Sequence, residues 1–205
     1  MAGIGSSISD TDIQKVRDRL AALERDSSDG LARSLKAVAY LTGLLERLGI
    51  QPIVVGGKAV ELYTTGSYAT VDVDLVLSGY ERAREVFERV GFEPKPLGTR
   101  HWYHPGLQLP IEIPDTRLDG SLDRVLRVDV GDGYHLYVIG IEDLILDRLR
   151  AAVHWKSTSD EEWALLLLKT RWNDIDFAYL EQEAAKPEQG VADLLAALKR
   201  QAEQL

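Results

Sequence analysis

The spacing of apolar residues predicts helices at both ends of the chain. Apolar residues recur at three- and four-residue steps from about residue 10 to 25 and again from about 31 to 48, so each segment has one buried helical face. Gly49 follows the second segment, at the position where glycine commonly ends a helix. From Ile141 onward the spacing is helical throughout. The helices predicted in that part lie near residues 142–154, 159–171, 174–185 and 190–204.

The middle of the chain has the patterns of β-strands. Residues 52–55 form a continuous apolar run, and residues 71–77 alternate with a period of two. Four more strands are predicted at residues 99–104, 107–113, 125–130 and 134–139. The last two flank Gly131-Asp132-Gly133, which is typical of a hairpin turn. Short helices are predicted at residues 58–63 and 80–90.

This order of elements predicts an α/β (α+β) fold with a mixed sheet. We divide the chain into an N-terminal helical pair at residues 1–49, a core with the sheet at residues 50–140, and a C-terminal helical segment at residues 141–205 that packs on the core. A chain of 205 residues buries about 70% of the surface of its unfolded form, so it needs no disulfide or metal to fold.

Composition and charge exclude several classes of function. The chain has no cysteine, which excludes a disulfide framework, a cysteine zinc site and thiol catalysis. The net charge of −9 argues against sequence-blind binding to nucleic acid, which needs a basic surface. The first ten residues have no targeting pattern, and the apolar runs are far shorter than the roughly 20 residues of a membrane helix. We therefore expect a cytoplasmic protein without membrane contact.

Two acidic residues interrupt the alternating strand. Asp72 and Asp74 are two residues apart, so their side chains project from the same face, about 7 Å apart along the strand. Carboxylates at that spacing repel each other unless a cation lies between them, and Mg²⁺ takes oxygen ligands of this kind. The alternative is an ordinary solvated strand face, although aspartate is a poor strand former. The pair alone leaves both interpretations open.

A glycine pair, Gly56-Gly57, separates the apolar run at residues 52–55 from the helix predicted after it. Without side chains, such residues let backbone N–H groups approach a phosphate closely, and the start of a helix adds partial positive charge. A plain tight turn is the alternative for this pair.

Residues 53–59 and 70–76 together resemble the signature of the DNA polymerase β-like nucleotidyltransferases. The resemblance is greatest to the small bacterial, minimal or AbiEii-like type. It implies a nucleotidyltransferase-type core that moves a nucleoside monophosphate from a nucleoside triphosphate (NTP) to an acceptor hydroxyl. In that reaction Asp72 and Asp74 bind two Mg²⁺ (or Mn²⁺) ions, and Gly56 and Gly57 hold the triphosphate.

The resemblance also implies a third carboxylate on a neighbouring strand, which shares a metal ion and can take the proton of the attacking hydroxyl. We assign it to Glu112, because an acid between apolar residues in a short strand is costly unless it is paired or metal-bound. The nearby loop acids Asp115 and Asp119 are alternatives for this position. Glu112 is otherwise a residue that protects an edge strand from aggregation.

A helical segment after the core resembles its counterpart in the AbiEii-like proteins. The resemblance assigns Arg148, Lys156 and Asp160 to the nucleotide cleft, where a cation would neutralise triphosphate charge. A structural ion pair between helices is an equal alternative. Lys58 adds a cation to the phosphate site or faces solvent.

Two departures from the family pattern concern phosphate contacts. Tyr68-Ala69-Thr70 lacks the arginine that many relatives carry there, and Gly57 replaces a serine whose hydroxyl would hold a phosphate. We assign the missing hydroxyl to Thr70 or Ser67. The four tryptophans are expected to be core or interface anchors rather than platforms for a base.

The resemblance leaves the acceptor open among a protein hydroxyl, as in modification of a toxin partner, a tRNA 3′ end, and a small molecule such as an aminoglycoside. The acidic composition disfavours tRNA. The alternative function is a catalytically degenerate binding module that pairs with a partner protein, for instance in a toxin–antitoxin system. The sequence does not determine the oligomeric state.

Overall fold

A computed structural model describes residues 8–26, 29–95 and 100–203. Within these ranges the α-helices are α1 (Asp10–Leu23), α2 (Gly30–Leu45), α3 (Gly56–Tyr63), α4 (Tyr80–Arg89), α5 (Ile141–Trp155), α6 (Thr158–Arg171), α7 (Phe177–Ala184) and α8 (Ala192–Ala202). The strands are β1 (Ile53–Val55), β2 (Val73–Val76), β3 (Glu93–Pro94), β4 (His101–His104), β5 (Leu109–Glu112), β6 (Leu126–Gly131) and β7 (Tyr134–Val138). Three short 3₁₀ helices lie at Glu46–Leu48, Leu122–Arg124 and Trp172–Asp174.

The seven strands form one mixed sheet in the order β3-β4-β5-β2-β1-β7-β6. Strand β1 is antiparallel to β2 and parallel to β7, and β2 is parallel to β5. The remaining pairs are antiparallel hairpins. The mixed α/β architecture with helices before and after the sheet confirms the predicted fold class.

Most helices agree with the periodicity, and four of the described helices, α1, α2, α6 and α7, begin with a side-chain cap. Ser9 and Asp12 form a capping box at α1, and the Asp29 carboxylate accepts a hydrogen bond from the Ala32 N–H at α2. The predicted strand at residues 71–77 is too long, since β2 begins at Val73 and leaves Asp72 just before it. Residues 99 and 204, at the ends of two predicted elements, lie outside the described ranges.

One hydrophobic core joins the described parts of the chain. Its buried residues include Leu20 of α1, Val54 of β1, Leu149 of α5 and Leu198 of α8. Trp102 belongs to this core, but Trp155 has 82% of its surface exposed, so a core position is wrong for Trp155. The three-part division of the chain stays a prediction. None of the described helices has the length and apolarity that a membrane crossing requires.

Candidate active site

The adjacent strands β1, β2 and β5 place two of the predicted metal-binding acids, Asp74 and Glu112, side by side. These two residues, together with Asp72, are called the acidic row. Asp74 of β2 pairs in register with Glu112 of β5 on one side and with Val55 of β1 on the other. Paired residues in neighbouring strands project from the same face, and the strands are about 5 Å apart. The carboxylates of Asp74 and Glu112 therefore lie side by side, although 38 positions separate them in the sequence.

Gly56 and Gly57 are the first two residues of α3, where the chain turns from β1 into the helix, and they lie against Asp74. Gly56 has a φ of +61°, and a Cβ atom placed on it would lie 2.2 Å from the Asp74 Oδ2 atom. The backbone N–H of Gly57 donates a hydrogen bond to the same carboxylate. A side chain at Gly56 would collide with the acid and would strain the backbone. The absence of a side chain at Gly56 therefore lets the Asp74 carboxylate lie directly against the start of α3.

The electrostatics of this row are those of crowded carboxylates. Burial, together with the negative charges of Glu112 and Asp72, raises the pKa of Asp74 to about 6 from its ordinary 3.8. The Arg148 guanidinium and the Gly57 N–H act in the opposite direction. The three predicted acids thus act on one another, with Asp74 at the centre of the group.

Asp72 differs from the other two acids because it lies before β2 and is exposed. In the part of the chain that the structure describes, no three histidine, aspartate or glutamate side chains converge as a ready-made metal site. The ligand set Asp72, Asp74 and Glu112 therefore stays a prediction.

The structure separates Glu112 from its two alternatives. Asp115 lies beyond β5 and accepts hydrogen bonds from the next two backbone N–H groups, which lower the pKa of its carboxyl. Asp119 forms a salt bridge of 3.1 Å with Arg150. Neither is in register with Asp74, so Glu112 is the acid that the sheet pairs with it.

Arg148 of α5 is the cation that acts on Asp74, and it is itself paired with two other acids. Its Nη1 donates to the Asp160 Oδ1 at 2.8 Å, and its Nε donates to the Asp147 Oδ2 at 3.1 Å. Burial alone would lower the pKa of Arg148, but the charges of Asp147, Asp160 and Asp74 hold it above its ordinary value. The ion pair between Arg148 and Asp160, which was one of the two predicted alternatives, therefore exists. The charge of Arg148 also acts on the Asp74 carboxylate.

Lys58 is buried, with only 2% of its surface exposed, so its predicted solvent position is wrong. Its Nζ donates to the Glu61 carboxylate at 2.7 Å and to the Thr70 carbonyl at 2.6 Å. The Thr70 N–H donates to the same carboxylate at 3.3 Å. Lys58 thus ties α3 to the segment before β2, and phosphate binding by it stays a prediction.

Thr70 and Lys156 are the remaining residues that the sequence assigns to the nucleotide. Thr70 borders the turn, since its Cγ2 would lie 3.3 Å from a Cβ placed on Gly57. Lys156 is exposed at the end of α5. Among the described residues, no salt bridge joins Lys156 to the acids. Their predicted nucleotide contacts stay predictions.

A histidine on the neighbouring strand faces Glu112. His101 of β4 pairs in register with Glu112, and its Nε2 lies 3.6 Å from the Glu112 Oε1. The hairpin of β4 and β5 was recognisable from the sequence, but a two-residue loop at Pro105-Gly106 would pair His101 with Pro110. The loop has four residues, 105–108, and this longer loop places His101 opposite Glu112.

Comparison with known proteins supports the fold at the level of structure. No protein-family model matches the chain, and no curated protein matches it in sequence. A crystal structure of an antigenic nucleotidyltransferase-like protein from Paracoccidioides brasiliensis is 19% identical, with a TM-score of 0.55, and the match covers 84% of this chain and 94% of that one. A crystal structure of ANT(2")-Ia in complex with adenylyl-2"-tobramycin is 13% identical, with a TM-score of 0.51, and the match covers 82% of this chain and 98% of that one. The fold is therefore of the nucleotidyltransferase type.

Proposed function

We propose that this chain is a metal-dependent nucleotidyltransferase that moves a nucleoside monophosphate from an NTP to an acceptor hydroxyl. The observation that carries the proposal is the position of Asp74, which lies against a glycine turn, in register with Glu112 and within the field of Arg148. The fold, which the two solved structures share, is compatible with this activity.

The donor set of the row fits a divalent cation. Asp72, Asp74 and Glu112 offer carboxylate oxygens, which Mg²⁺ and Mn²⁺ accept as ligands. The mutual repulsion that raises the pKa of Asp74 is the repulsion that a cation between the acids would relieve. When bound there, a divalent ion supplies Lewis-acid stabilisation of charge on the transferred phosphoryl group.

The other residues bind and orient the nucleotide. The start of α3 at Gly56 and Gly57 directs its partial positive charge toward the β- and γ-phosphates, while the Gly57 N–H also donates to the Asp74 carboxylate. Arg148 places its guanidinium charge near the leaving pyrophosphate. Because Arg148 already bonds Asp147 and Asp160, a phosphate shares this cation with them rather than meeting it unpaired.

Glu112 is the proposed acceptor of the proton from the attacking hydroxyl. Its side chain is half-exposed beside the partly buried Asp74, so an acceptor molecule can reach it from solvent. The His101 Nε2 lies 3.6 Å from the Glu112 Oε1, on the neighbouring strand. These two residues thus form the acceptor side of the row.

A small molecule with hydroxyl groups is the acceptor that the comparison supports. The similar structure of ANT(2")-Ia holds adenylyl-2"-tobramycin, an adenylylated antibiotic. A protein hydroxyl and a tRNA 3′ end are the other acceptor classes, and the net charge of −9 disfavours tRNA. A role in a toxin–antitoxin pair, like a cytoplasmic location, stays a prediction from the sequence.

Calorimetric titration tests the proposed site. We expect ATP, GTP, CTP or UTP to bind only with Mg²⁺ or Mn²⁺, and we expect Asp74→Ala to abolish that binding. Asp115→Ala is the matched control, because Asp115 lies near β5 but outside the row. Binding that persists unchanged in Asp74→Ala would reject the site.

The pairing of Arg148 with two acids favours one alternative, a degenerate module that binds nucleotide and a partner protein without catalysis. Incubation of the chain with a cell lysate and an NTP labelled at the α-phosphate distinguishes the two functions. An enzyme transfers the label to an acceptor, and Asp74→Ala abolishes the transfer. A binding module retains nucleotide affinity but labels nothing.

A further inference from the structure

Strand β6 is an open edge of the sheet in the described part of the chain. It is the last strand in the order, and its six residues make it the longest strand. β6 has no proline or lysine, two residues that commonly protect an edge strand, and its bulge lies at the hairpin end, between Asp129 and Gly131. Its remaining protection is the charge of Arg127 and Asp129, which repels a further strand unless that strand places opposite charges against them.

The apolar residues of β6 extend the core to this edge. Leu126 pairs with Val138 and Val128 pairs with Leu136, and both of these β7 residues are fully buried. Val128 and Val130 pack partly against the core, whereas Leu126 remains 48% exposed. The apolar row thus ends at the sheet edge without a neighbour.

The charged residues of β6 project from the opposite face. Arg127 pairs with Tyr137, and Asp129 pairs with His135. The Arg127 Nη2 contacts the His135 Nδ1 at 3.0 Å, and the Asp129 Oδ1 accepts a hydrogen bond from the Gly131 N–H at 2.7 Å. Neither side chain forms a salt bridge with another described residue. Neither charge is in direct contact with an opposite charge, and Arg127 acts at longer range on the Glu46 carboxylate.

We propose that β6 pairs antiparallel with β6 of a second copy of this chain, about a two-fold axis at Val128. In this register Arg127 lies opposite Asp129 of the partner subunit, and the reverse pair follows by symmetry. Val128 lies opposite Val128 of the partner subunit, and Leu126 lies opposite Val130 of the partner subunit. Both the charges and the apolar row are thus self-complementary.

The charges select this register over its neighbours. A two-fold axis perpendicular to the sheet must pass beside a residue that faces its own copy. Centring it on Arg127 would bring two arginines together, and centring it on Asp129 would bring two aspartates together. Like charges directly opposite each other destabilise a strand pair, whereas opposite charges stabilise it. The β6–β7 ladder shifts register between Asp129 and Gly131, so regular pairing extends from Leu126 to Asp129 and the contact of Leu126 with Val130 lies at its end.

Charge reversal tests the proposal in the full chain, with mass measured by light scattering after size exclusion. We expect a dimer whose dissociation constant rises about tenfold or more in Arg127→Asp and in Asp129→Arg, because two attractive pairs become repulsive. The double variant restores both pairs and hence the dimer. An equimolar mixture of the two single variants forms a heterodimer, since one chain then carries two aspartates and the other two arginines.

A cysteine cross-link gives a second measurement that does not alter charge. The chain has no cysteine, so Val128→Cys introduces a single thiol. The two-fold axis places it about 5 Å from its copy, within reach of a disulfide. Oxidation should yield a covalent dimer, whereas Val71→Cys, an exposed control outside β6, should not.

Each other outcome overturns the proposal. Circular dichroism identifies any variant that fails to fold, and the Val128→Cys result then decides. A monomeric wild-type chain at the highest concentration reached rejects the pairing. So does a dimer that neither charge reversal nor Val128→Cys affects, because its interface would lie elsewhere.

Discussion

At the scale of single residues, Asp74 combines a predicted function with an energetic cost. Its folded-state pKa of about 6 exceeds the ordinary 3.8, first because of burial and then because of Glu112 and Asp72. The folded state therefore binds the Asp74 proton more tightly than the unfolded state does. Stability from this group is complete below pH about 4 and is lost as the pH rises through about 6. At neutral pH the charged carboxylate destabilises the unliganded protein.

We therefore expect Asp74→Asn to stabilise the protein at pH 8 while it abolishes nucleotide binding. The amide avoids burial of a charge, and the gain is roughly 2–3 kcal/mol from the pKa difference. At pH 4 the gain should be much smaller, because Asp74 is then largely protonated in the folded state. Urea unfolding of both proteins at the two pH values measures the difference. Destabilisation at pH 8 would contradict the proposed electrostatic cost.

Gly56→Ala should disturb the same carboxylate from the other side. Its Cβ would lie 2.2 Å from the Asp74 Oδ2, and alanine at a φ of +61° is strained, so we expect a loss of roughly 1–3 kcal/mol and of nucleotide binding. Gly49→Ala is the matched control, because Gly49 has a φ of +70° and nothing within 4 Å of its Cβ position. Calorimetry should show unimpaired nucleotide binding in that control. Equal loss of binding in both variants would mean that backbone strain, not the collision, is responsible.

At the scale of elements, the Lys58–Glu61 pair joins α3 to the chain just before β2. Lys58 reaches the Thr70 carbonyl, and Glu61 accepts from the Thr70 N–H. This clamp sets the path by which the chain enters β2, four residues before Asp74. The position of the acidic row thus depends on a buried ion pair in a neighbouring helix.

Lys58→Met should destabilise the protein by about 3–5 kcal/mol, because it leaves the buried Glu61 carboxylate without its cation. Lys58→Met with Glu61→Leu should recover most of that loss, since no uncompensated charge remains. Urea denaturation of the single and double variants measures the coupling. A double variant no more stable than Lys58→Met would show that the lost hydrogen bonds to Thr70 dominate.

The sequence predicted helices better than strand ends, for a physical reason. A helix is a local structure whose period is visible in the sequence, as in the buried stripe of α1 at Ile13, Val16, Leu20 and Leu23. A strand ends where its neighbours end. Strand β1 ends at Val55, because Gly56 begins a helix. The residues that precede Asp74 therefore have no partner on the β1 side of β2. The alternation at Val71 and Asp72 therefore continues without a sheet to join.

At the scale of the whole molecule, one core connects helices from both ends of the chain with the sheet. Residues that are distant in sequence, such as Leu20 and Leu198, belong to the same buried cluster. A shared core of this kind favours cooperative unfolding.

We expect a single calorimetric unfolding transition for the full chain, with equal calorimetric and van't Hoff enthalpies at one protein concentration. The concentration must be fixed because dimerisation shifts the midpoint by mass action. Two resolved transitions would indicate that the predicted segments 1–49, 50–140 and 141–205 do not unfold together.

The sheet order lay beyond sequence patterns because long-range pairing has no local signature. Nothing near β7 indicates that it inserts between β1 and β6 as a parallel neighbour of β1. The candidate site was more accessible, since Asp72, Asp74 and the glycine pair are close in sequence. Only the register of β2 with β5 distinguished Glu112 from the acids that follow it.

The exposed indole of Trp155 gives this protein a natural optical reporter. Trp155 follows Arg148 by two helical turns, so the two side chains leave α5 on the same side, about 10.5 Å apart along the axis. Dissolved acrylamide can collide with this indole but not with the fully enclosed Trp102. Fluorescence quenching of the unlabelled chain therefore follows mainly how accessible this side of α5 is to small molecules, without a dye or a tag, because Trp163 and Trp172 are partly buried and are quenched less.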